Sequence, residues 1–427
     1  MPGKTRPVDN LSHALAGLAA GELLQRSLPA EPTAQAQSQR RRMLLASCAL
    51  AANLPDLDLV LTPLLPAPLG YLLHHRGHTH TLLYALPQAL ALIALVWLLW
   101  PNARRLLHAS AAARAGLVAA TVIGLLLHLL MDFLNSYGLH PFHPIDSRWL
   151  YGDMVFILEP VFWVGFGVPL AMMVQRRWLK IACLALLACV LAGSTALGFL
   201  HWGSLVALLS VAALLGFAQH RSAASGKQGL VLGMLAAAAF VALQGWASTT
   251  GRQQVAAHLR AVAPAGRLLD VAMTPYPANP ACWSFVSVEL VDGAGAYRVQ
   301  RGLLSLAPGM LPVASCPAAM TQPFAATSSA IALVWKSETD LRTLGALATN
   351  CHVHAWMRFA RAPFLADGVL DDARFSGRRA PGGEPVEAGP RPSFSTFDPV
   401  QLQSVPCAVR VPQWDLPRQD LLNAASK

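Results

Sequence analysis

The chain is short of charge. Only 13% of its 427 residues are Asp, Glu, Lys or Arg, against about 25% in a soluble globular chain, and its mean hydropathy is +0.44. That deficit excludes a simple cytosolic domain, and the 54% hydrophobic content excludes a disordered or collagen-like chain. Acids are scarcest at the front: residues 1–247 carry 16 Lys+Arg and 9 Asp+Glu, whereas residues 248–427 carry 16 and 13. No internal repeat is present, and no low-complexity tract beyond an Ala/Leu bias. A cleavable signal peptide is not expected, because the apolar stretch after Lys4 and Arg6 is interrupted by His13 and Glu22. The net charge of +10 is not a nucleic-acid signature, since the basic residues fall in short loops between apolar runs.

Those runs dominate residues 1–247. A membrane helix needs about 20 apolar residues, and clear candidates are 81–100, 114–131, 154–174, 181–200, 203–219 and 229–247. Two earlier segments, 11–25 and 43–62, are shorter or carry polar groups. With all eight crossing, one set of loops holds Arg26, Arg40, Arg41, Arg42, Arg104, Arg105, Arg114, Arg176, Arg177, Lys180, Arg221 and Lys227; the other holds Lys4, Arg6, Arg76 and Arg148. The richer set belongs in the cytoplasm. Residues 248–427 then lie on the periplasmic side of an inner membrane, and a re-entrant pairing of the first two segments leaves that parity unchanged.

Residues 248–427 predict a small β-rich domain. Trp283–Leu290, Ala330–Trp335 and His352–Phe359 are β-prone runs, punctuated by Pro and Gly clusters at 275–280 and 380–390. Four of the seven cysteines are here (Cys282, Cys316, Cys351, Cys407), an even count in a segment assigned to the oxidising side, where disulfides are permitted in any of three pairings. Cys48, Cys183 and Cys189 lie in membrane runs and read as packing.

What this charge-poor chain does have is histidine. Nine of fourteen fall within residues 1–143, beside the few acids of the membrane part. His108 sits in the 101–113 loop; the other eight and the acids beside them are, in order, His13; Asp56 and Asp58; His74, His75, His78 and His80; His128 and Asp132; then His140, His143 and Asp146. The spacing His128-x-x-x-Asp132 puts an imidazole and a carboxylate on one helix face. In the topology above every one of these groups lies at the outer end of its segment. Ionisable groups at membrane depth cost a few kcal/mol each unless paired or hydrated, so their gathering in one layer points to a site. Mixed nitrogen and oxygen donors without a cysteine cluster suit zinc, manganese or iron in a catalytic rather than a closed structural site, and about eight candidate ligands would serve one or two ions.

These residues carry a resemblance. His13-Ala14, Asn53-Leu54-Pro55-Asp56-Leu57-Asp58, His75-Arg76-x-x-Thr79-His80 and His128-x-x-x-Asp132 followed by Asn135-Ser136-Tyr137-Gly138 resemble the YdjM-like family of inner-membrane metal-dependent hydrolases, itself distantly similar to zinc-dependent phospholipase C and P1-type nucleases. The motifs span residues 11–163. The resemblance implies an all-helical metal core with the ligand order His, Asp, His, His-x-x-x-Asp, His, matched here by His13, Asp56, His75 or His80, His128, Asp132, and His140 or His143. The soluble enzymes' N-terminal Trp ligand and their His-x-x-x-Glu pair have no counterpart; His143-x-x-Asp146 only approximates the latter. Trp356-Met357-Arg358-Phe359 and Asp372-Ala373-Arg374-Phe375 resemble the tail of longer family members.

The expectation is therefore an all-α polytopic membrane bundle (1–247) with a C-terminal β-rich domain (248–427), acting as a metal-dependent hydrolase. The metal set is His13, Asp56, His75, His80, His128, Asp132, His140 and His143. Asp58 is the candidate general base or His-orienting carboxylate, and Arg76 a candidate phosphate or carboxylate binder, with interfacial anchoring as its other reading. Asn135 and Tyr137 are possible donors to substrate oxygens, Glu159 an extra ligand, and His352 with His354 share one face of a predicted strand. Trp97, Trp100, Trp149, Trp163 and Trp202 mark membrane interfaces. The partners are the bilayer and a phosphoester, lipid-borne because the site lies at membrane depth; no nucleic acid is expected. A metal-ion transporter is disfavoured because runs 181–200, 203–219 and 229–247 hold no ionisable group except cysteines. A scaffold stapled by a structural metal is the remaining alternative.

Overall fold

The computed structural model describes residues 10–222, 226–264, 266–291, 293–317, 325–326, 328–376, 393–402, 404–407 and 414–425. Among the described residues ten α-helices precede the sheet: α1 Asn10–Ser27, α2 Ala34–Ala51, α3 Leu69–His74, α4 Leu82–Leu99, α5 Pro101–Ala109, α6 Ala111–Phe133, α7 Pro160–Met172, α8 Arg177–Ala196, α9 Trp202–Arg221 and α10 Gln228–Val262. Five of these, α4, α6, α8, α9 and α10, are long and apolar enough to cross a membrane. The count rises to six if α2 and the 3-10 segment Pro55–Leu64, bent from it by 43°, form one broken span. Local chemistry sets their starts: Thr81 Oγ1 accepts the Tyr84 N–H to open α4, and Ser110 Oγ accepts the Ala113 N–H to open α6.

The apolar run 154–174 becomes a helix only from Pro160, and its 13 residues reach about 20 Å, short of the roughly 30 Å of hydrocarbon. The cause is the Glu159-Pro160 pair. A residue before proline is steered out of helical geometry, and Glu159 Oε1 instead caps the helix by accepting the Val161 N–H at 3.2 Å.

Helices α1, α2 and α6 meet closely through small residues. A Cβ on Gly17 would lie 2.8 Å from Ala49 Cα and Cys48 O, and one on Gly124 would fall against Cys48 O and Ala51 Cβ. Glycine at these two positions lets the backbones touch, and both lie one turn from a candidate ligand, His13 and His128.

Helix α10 does not stop at residue 247. It continues as one helix to Val262, 35 residues in all, and its last turns form the floor of the β region. Ala247, Val255 and Leu259 pack on Val271, Met273, Trp283, Phe285 and Leu304. The sheet is antiparallel in the order β1-β2-β3-β5-β4, with β1 Gly266–Tyr276, β2 Asn279–Val291, β3 Ala296–Ser305, β4 Ala325–Ala326 and β5 Ile331–Asp340. The turn of the 275–280 cluster joins β1 to β2, with Ala278 at φ 48°. The cluster at 380–390 lies outside the described residues. After the sheet come α11 Leu341–Ala348, α12 Cys351–Met357, the hairpin β6 Pro363–Ala366 with β7 Val369–Asp372, and α13 Gln419–Ala425.

The β-prone runs Trp283–Leu290 and Ala330–Trp335 lie in β2 and β5, Ala330 excepted, which precedes β5. His352–Phe359 does not form a strand: it begins in α12, so His352 and His354 do not alternate across a sheet. Asn350 Oδ1 caps that helix by accepting the His352 N–H at 2.8 Å, and Val353, Trp356 and Met357, at helical spacing, are buried. The four C-terminal cysteines pair as Cys282–Cys316 and Cys351–Cys407, while Cys48, Cys183 and Cys189 are free.

The largest apolar cluster joins the two regions. Leu69, Leu72 and Leu73 of α3, with Tyr137 and Trp149, pack against Trp356, Phe359, Phe397 and Trp414. Trp149 is therefore 8% exposed, a core residue rather than a membrane-interface marker, because the C-terminal region covers it.

Candidate metal centre

The side chains converge at one end of the bundle. His13 comes from the first turn of α1, Asp56 and Asp58 from the 3-10 segment that continues α2, and His75 and His80 flank the tight loop between α3 and α4. His128 and Asp132 come from the last two turns of α6. All seven are buried.

Donor atoms of Asp56, His80, His128 and Asp132 lie within 4.8 Å of one another. His80 Nε2 is 3.3 Å from Asp56 Oδ1 and 3.2 Å from Asp132 Oδ2, and His128 Nε2 is 3.3 Å from Asp132 Oδ2. The two imidazole Nε2 atoms face each other at 3.0 Å. His128 Nδ1 lies 2.8 Å from Ala52 O, a contact that assigns the proton to Nδ1 and leaves Nε2 as a lone-pair donor. Among the described residues neither Asp56 oxygen has a hydrogen-bond partner, and neither does Asp132 Oδ2. Buried carboxylate oxygens without donors are costly, and their convergence on two imidazole nitrogens fits a divalent cation. The donor chemistry, two nitrogens and two carboxylates without thiolate, suits zinc, manganese or iron.

A second group, Asp58, His75 and His80, shares one imidazole with the first. Asp58 Oδ1 is 3.3 Å from His75 Nδ1, and Asp58 Oδ2 is 3.2 Å from His80 Nδ1. Oδ2 also accepts the Thr79 hydroxyl at 2.8 Å and the Arg76 N–H at 3.1 Å. Both oxygens are thus occupied, and Asp58 is placed to orient imidazoles.

His13 stacks on His128 with ring centroids 4.2 Å apart, its Nε2 3.5 Å from Asp132 Oδ1. Arg76 is buried, so it is no interfacial anchor. Its Nη2 donates to Asp132 Oδ1 at 2.6 Å and its Nη1 to Asn135 Oδ1 at 2.9 Å, while its backbone holds φ 59°, a conformation rare outside glycine and often kept at functional sites. Asn135 is an acceptor here, from Arg76 and from the Tyr137 N–H at 2.9 Å.

The other candidates stay apart. His140 is buried against Trp414, ring centroids 4.3 Å apart; burial first, and neighbouring His143 second, lower its pKa to about 3. Its two ring nitrogens have no hydrogen-bond partner among the described residues. His143 Nδ1 meets Ser147 Oγ at 2.8 Å, and Asp146 pairs with Arg148 on the surface. Neither histidine joins either donor group, and neither does Glu159, the α7 cap.

Residues 8–198 match the model of the YdjM inner membrane protein family. The motifs read between residues 11 and 163 lie inside the YdjM match, and with the long apolar helices it makes the chain a multi-pass inner-membrane protein. The chain is also similar to an uncharacterized protein, YfhP, of Bacillus subtilis (strain 168), 23% identical over 164 residues, which are 38% of this chain and 46% of that protein. The chain thus spans about half the length of the curated relative it matches. No solved structure matches.

Beyond the YdjM match lies a set of contacts to which sequence assigned no role. Arg374 Nη1 donates to Ser136 O at 2.8 Å and Tyr137 O at 3.1 Å, holding the loop that follows α6. The Tyr137 ring lies between the Arg76 guanidinium, 4.6 Å from its centroid, and Phe359, 5.0 Å away. The motifs Trp356–Phe359 and Asp372–Phe375 thus brace the loop after α6 from outside. The only signal in the sequence was that both resemble the tail of longer family members.

Proposed function

We propose that this protein is a membrane-bound, metal-dependent hydrolase that cleaves a phosphoester in a lipid or lipid-linked substrate at the periplasmic face. The observation that carries the reading is the buried group Asp56, His80, His128 and Asp132, whose donor atoms lie within 4.8 Å of one another while Asp56 keeps two oxygens without hydrogen bonds. These four residues would hold one divalent ion, zinc before manganese or iron, with His13 and His75 beside it. Such an ion, when bound, activates water and neutralises charge on a phosphoryl oxygen.

The chain's own groups do the remaining work. Asp58 holds the Nδ1 sides of His75 and His80, fixing which face each ring turns inward. Arg76 neutralises Asp132 at Oδ1, leaving Oδ2 to face His80 and His128, and its guanidinium also binds Asn135. The buried Tyr137 ring, 5.6 Å from the His75 ring and 4.6 Å from the Arg76 guanidinium, excludes water from one side of the centre. On another side Leu57, Val60 and Leu64 are 59%, 73% and 70% exposed. This apolar fringe, continuous with the residues that carry Asp56 and Asp58, supports a substrate that enters from the bilayer. The periplasmic side is supported by the loop charges, twelve basic residues against four, and by the two disulfides of the C-terminal region.

The test is metal content by mass spectrometry of detergent-purified protein, wild type beside His128→Ala/Asp132→Ala, followed by hydrolysis of phospholipids in mixed micelles. Wild type is expected to carry about one equivalent and the double variant none. Folded wild type that takes up no zinc, manganese or iron sinks the metal reading. Loaded protein that releases no phosphate-bearing product from any phosphoester sinks the hydrolase reading alone.

A further inference from the structure

A second polar site lies in the β region, built from none of the metal-side residues. A partly enclosed cavity of about 50 Å³ is lined by Thr274 and Tyr276 of β1, Ser284 of β2, Arg301 of β3, and Arg374 just after β7. That is room for roughly four waters at about 10–15 Å³ each, or for one tetrahedral oxyanion. Its two guanidinium groups differ. Arg374 is saturated, by Asp372 Oδ2 at 2.9 Å and by the carbonyls of Ser136, Tyr137 and Phe359. Arg301 is not: Nη1 donates to Ser376 O at 2.8 Å, Nε is buried with no hydrogen-bond partner, and no carboxylate pairs with it among the described residues. A shielded guanidinium without a counter-ion is costly, and its planar edge matches the two oxygens of a phosphate or carboxylate. The strand is shaped around it. Opposite Arg301 the partner strand bulges: Arg301 pairs with Trp335 and Gly302 with Leu333, leaving Val334 of β5 as the extra residue, and a Cβ at Gly302 would collide with the Phe285 ring.

We propose that this cavity binds an oxyanion, the phosphate or carboxylate group of a small solute or of a lipid head group, with Arg301 as the recognising residue and the Thr274, Tyr276 and Ser284 hydroxyls around it. The cavity wall is continuous with the loop after α6: Thr274 Oγ1 donates to Ser136 Oγ at 3.2 Å. The site does not depend on the hydrolase reading.

The experiment is calorimetric titration of the full chain in neutral detergent with inorganic phosphate, at constant ionic strength set by chloride. Wild type is expected to bind and Arg301→Gln to bind at least tenfold more weakly, with Arg301→Lys in between. Ser284→Phe, which fills the cavity without changing charge, should also abolish binding, and it decides the matter if the Arg301 variants fail to fold. Binding must persist after chelator treatment and in His128→Ala/Asp132→Ala. Absence of binding by wild type, equal binding by Arg301→Gln and Ser284→Phe, or loss of binding with the metal ligands would each overturn the proposal. Repeating the titration in phosphatidylcholine nanodiscs with and without phosphatidic acid separates the sources. Weaker phosphate binding beside phosphatidic acid assigns the site to head groups; unchanged binding assigns it to a free solute.

Discussion

The His80 ring has carboxylates on both sides: Asp56 and Asp132 face its Nε2, and Asp58 faces its Nδ1. A ring so placed is oriented by one side in order to serve on the other, and carboxylates in that orienting position commonly contribute 10–100-fold in metal affinity. Asp58→Asn keeps the shape and removes the charge, so it is expected to weaken metal binding by about that factor while the thermal midpoint of the metal-free protein changes little. Competition with a chromophoric chelator measures it, and an unchanged affinity would show that Asp58 does not act through the imidazoles. At this scale the sequence was informative about residue type and less so about role. The spacing of His128 and Asp132 is local and survives folding intact. In Asp56-Leu57-Asp58 the two carboxylates are equivalent on paper. They diverge only because Thr79, the Arg76 N–H, His75 and His80 satisfy Asp58, whereas Asp56 is left without donors.

Between elements, the centre depends on how near α2 lies to α6. His128 receives its orienting contact from Ala52 O, on the residue after α2, and that carbonyl is within reach because Gly124 has no side chain to keep the helices apart. Gly124→Val is expected to cost about 1–3 kcal/mol through overpacking and to lower metal retention together with the thermal midpoint. Unfolding followed by fluorescence, with metal content on the same sample, checks both; normal metal retention would show that α2 and α6 can separate without disturbing the ligands. The long apolar helices were legible in the sequence, since a run of that length has few other homes. The short α7 and the helical α12 were not. Apolar periodicity cannot tell a strand from a short buried helix, and in each case one capping side chain, Glu159 or Asn350, decided where the helix begins.

Across the whole molecule the two regions are clamped by a buried ion cluster. Arg361 donates through Nη1 to Asp153 Oδ1 and through Nε to Asp270 Oδ2, both at 2.8 Å, and Arg252 also reaches Asp153. Burial alone would raise the Asp270 carboxyl; Arg361, with Arg418 and Arg252 beyond it, outweighs burial and holds the group at about 2 against an ordinary 3.8. The native value lies below the unfolded one, so the stabilisation is present above about pH 4 and is lost as pH falls towards 2, a contribution of about 2 kcal/mol when complete. Asp270→Asn should therefore lower the thermal midpoint at neutral pH, and the gap from wild type should close between about pH 4 and pH 2. Calorimetry across that window tests it, and a gap that stays constant would show that Asp270 is not held by its charge.

Composition and local spacing were enough to determine a membrane class, a distinct C-terminal region rich in strands, and a set of imidazoles and carboxylates suited to a divalent ion. Those features follow from runs and intervals of a few residues, which no distant contact alters. Tertiary structure alone decided which donors face one another, which carboxylate became an orienting group, and that His140 and His143 lie against Trp414 rather than in the centre. It also decided that the C-terminal region braces the loop beside the buried histidines and aspartates. Each of these depends on separate segments being buried together, from 17 residues apart for Asp58 and His75 to 238 for Ser136 and Arg374, and burial between separate segments leaves no periodicity for a sequence to display.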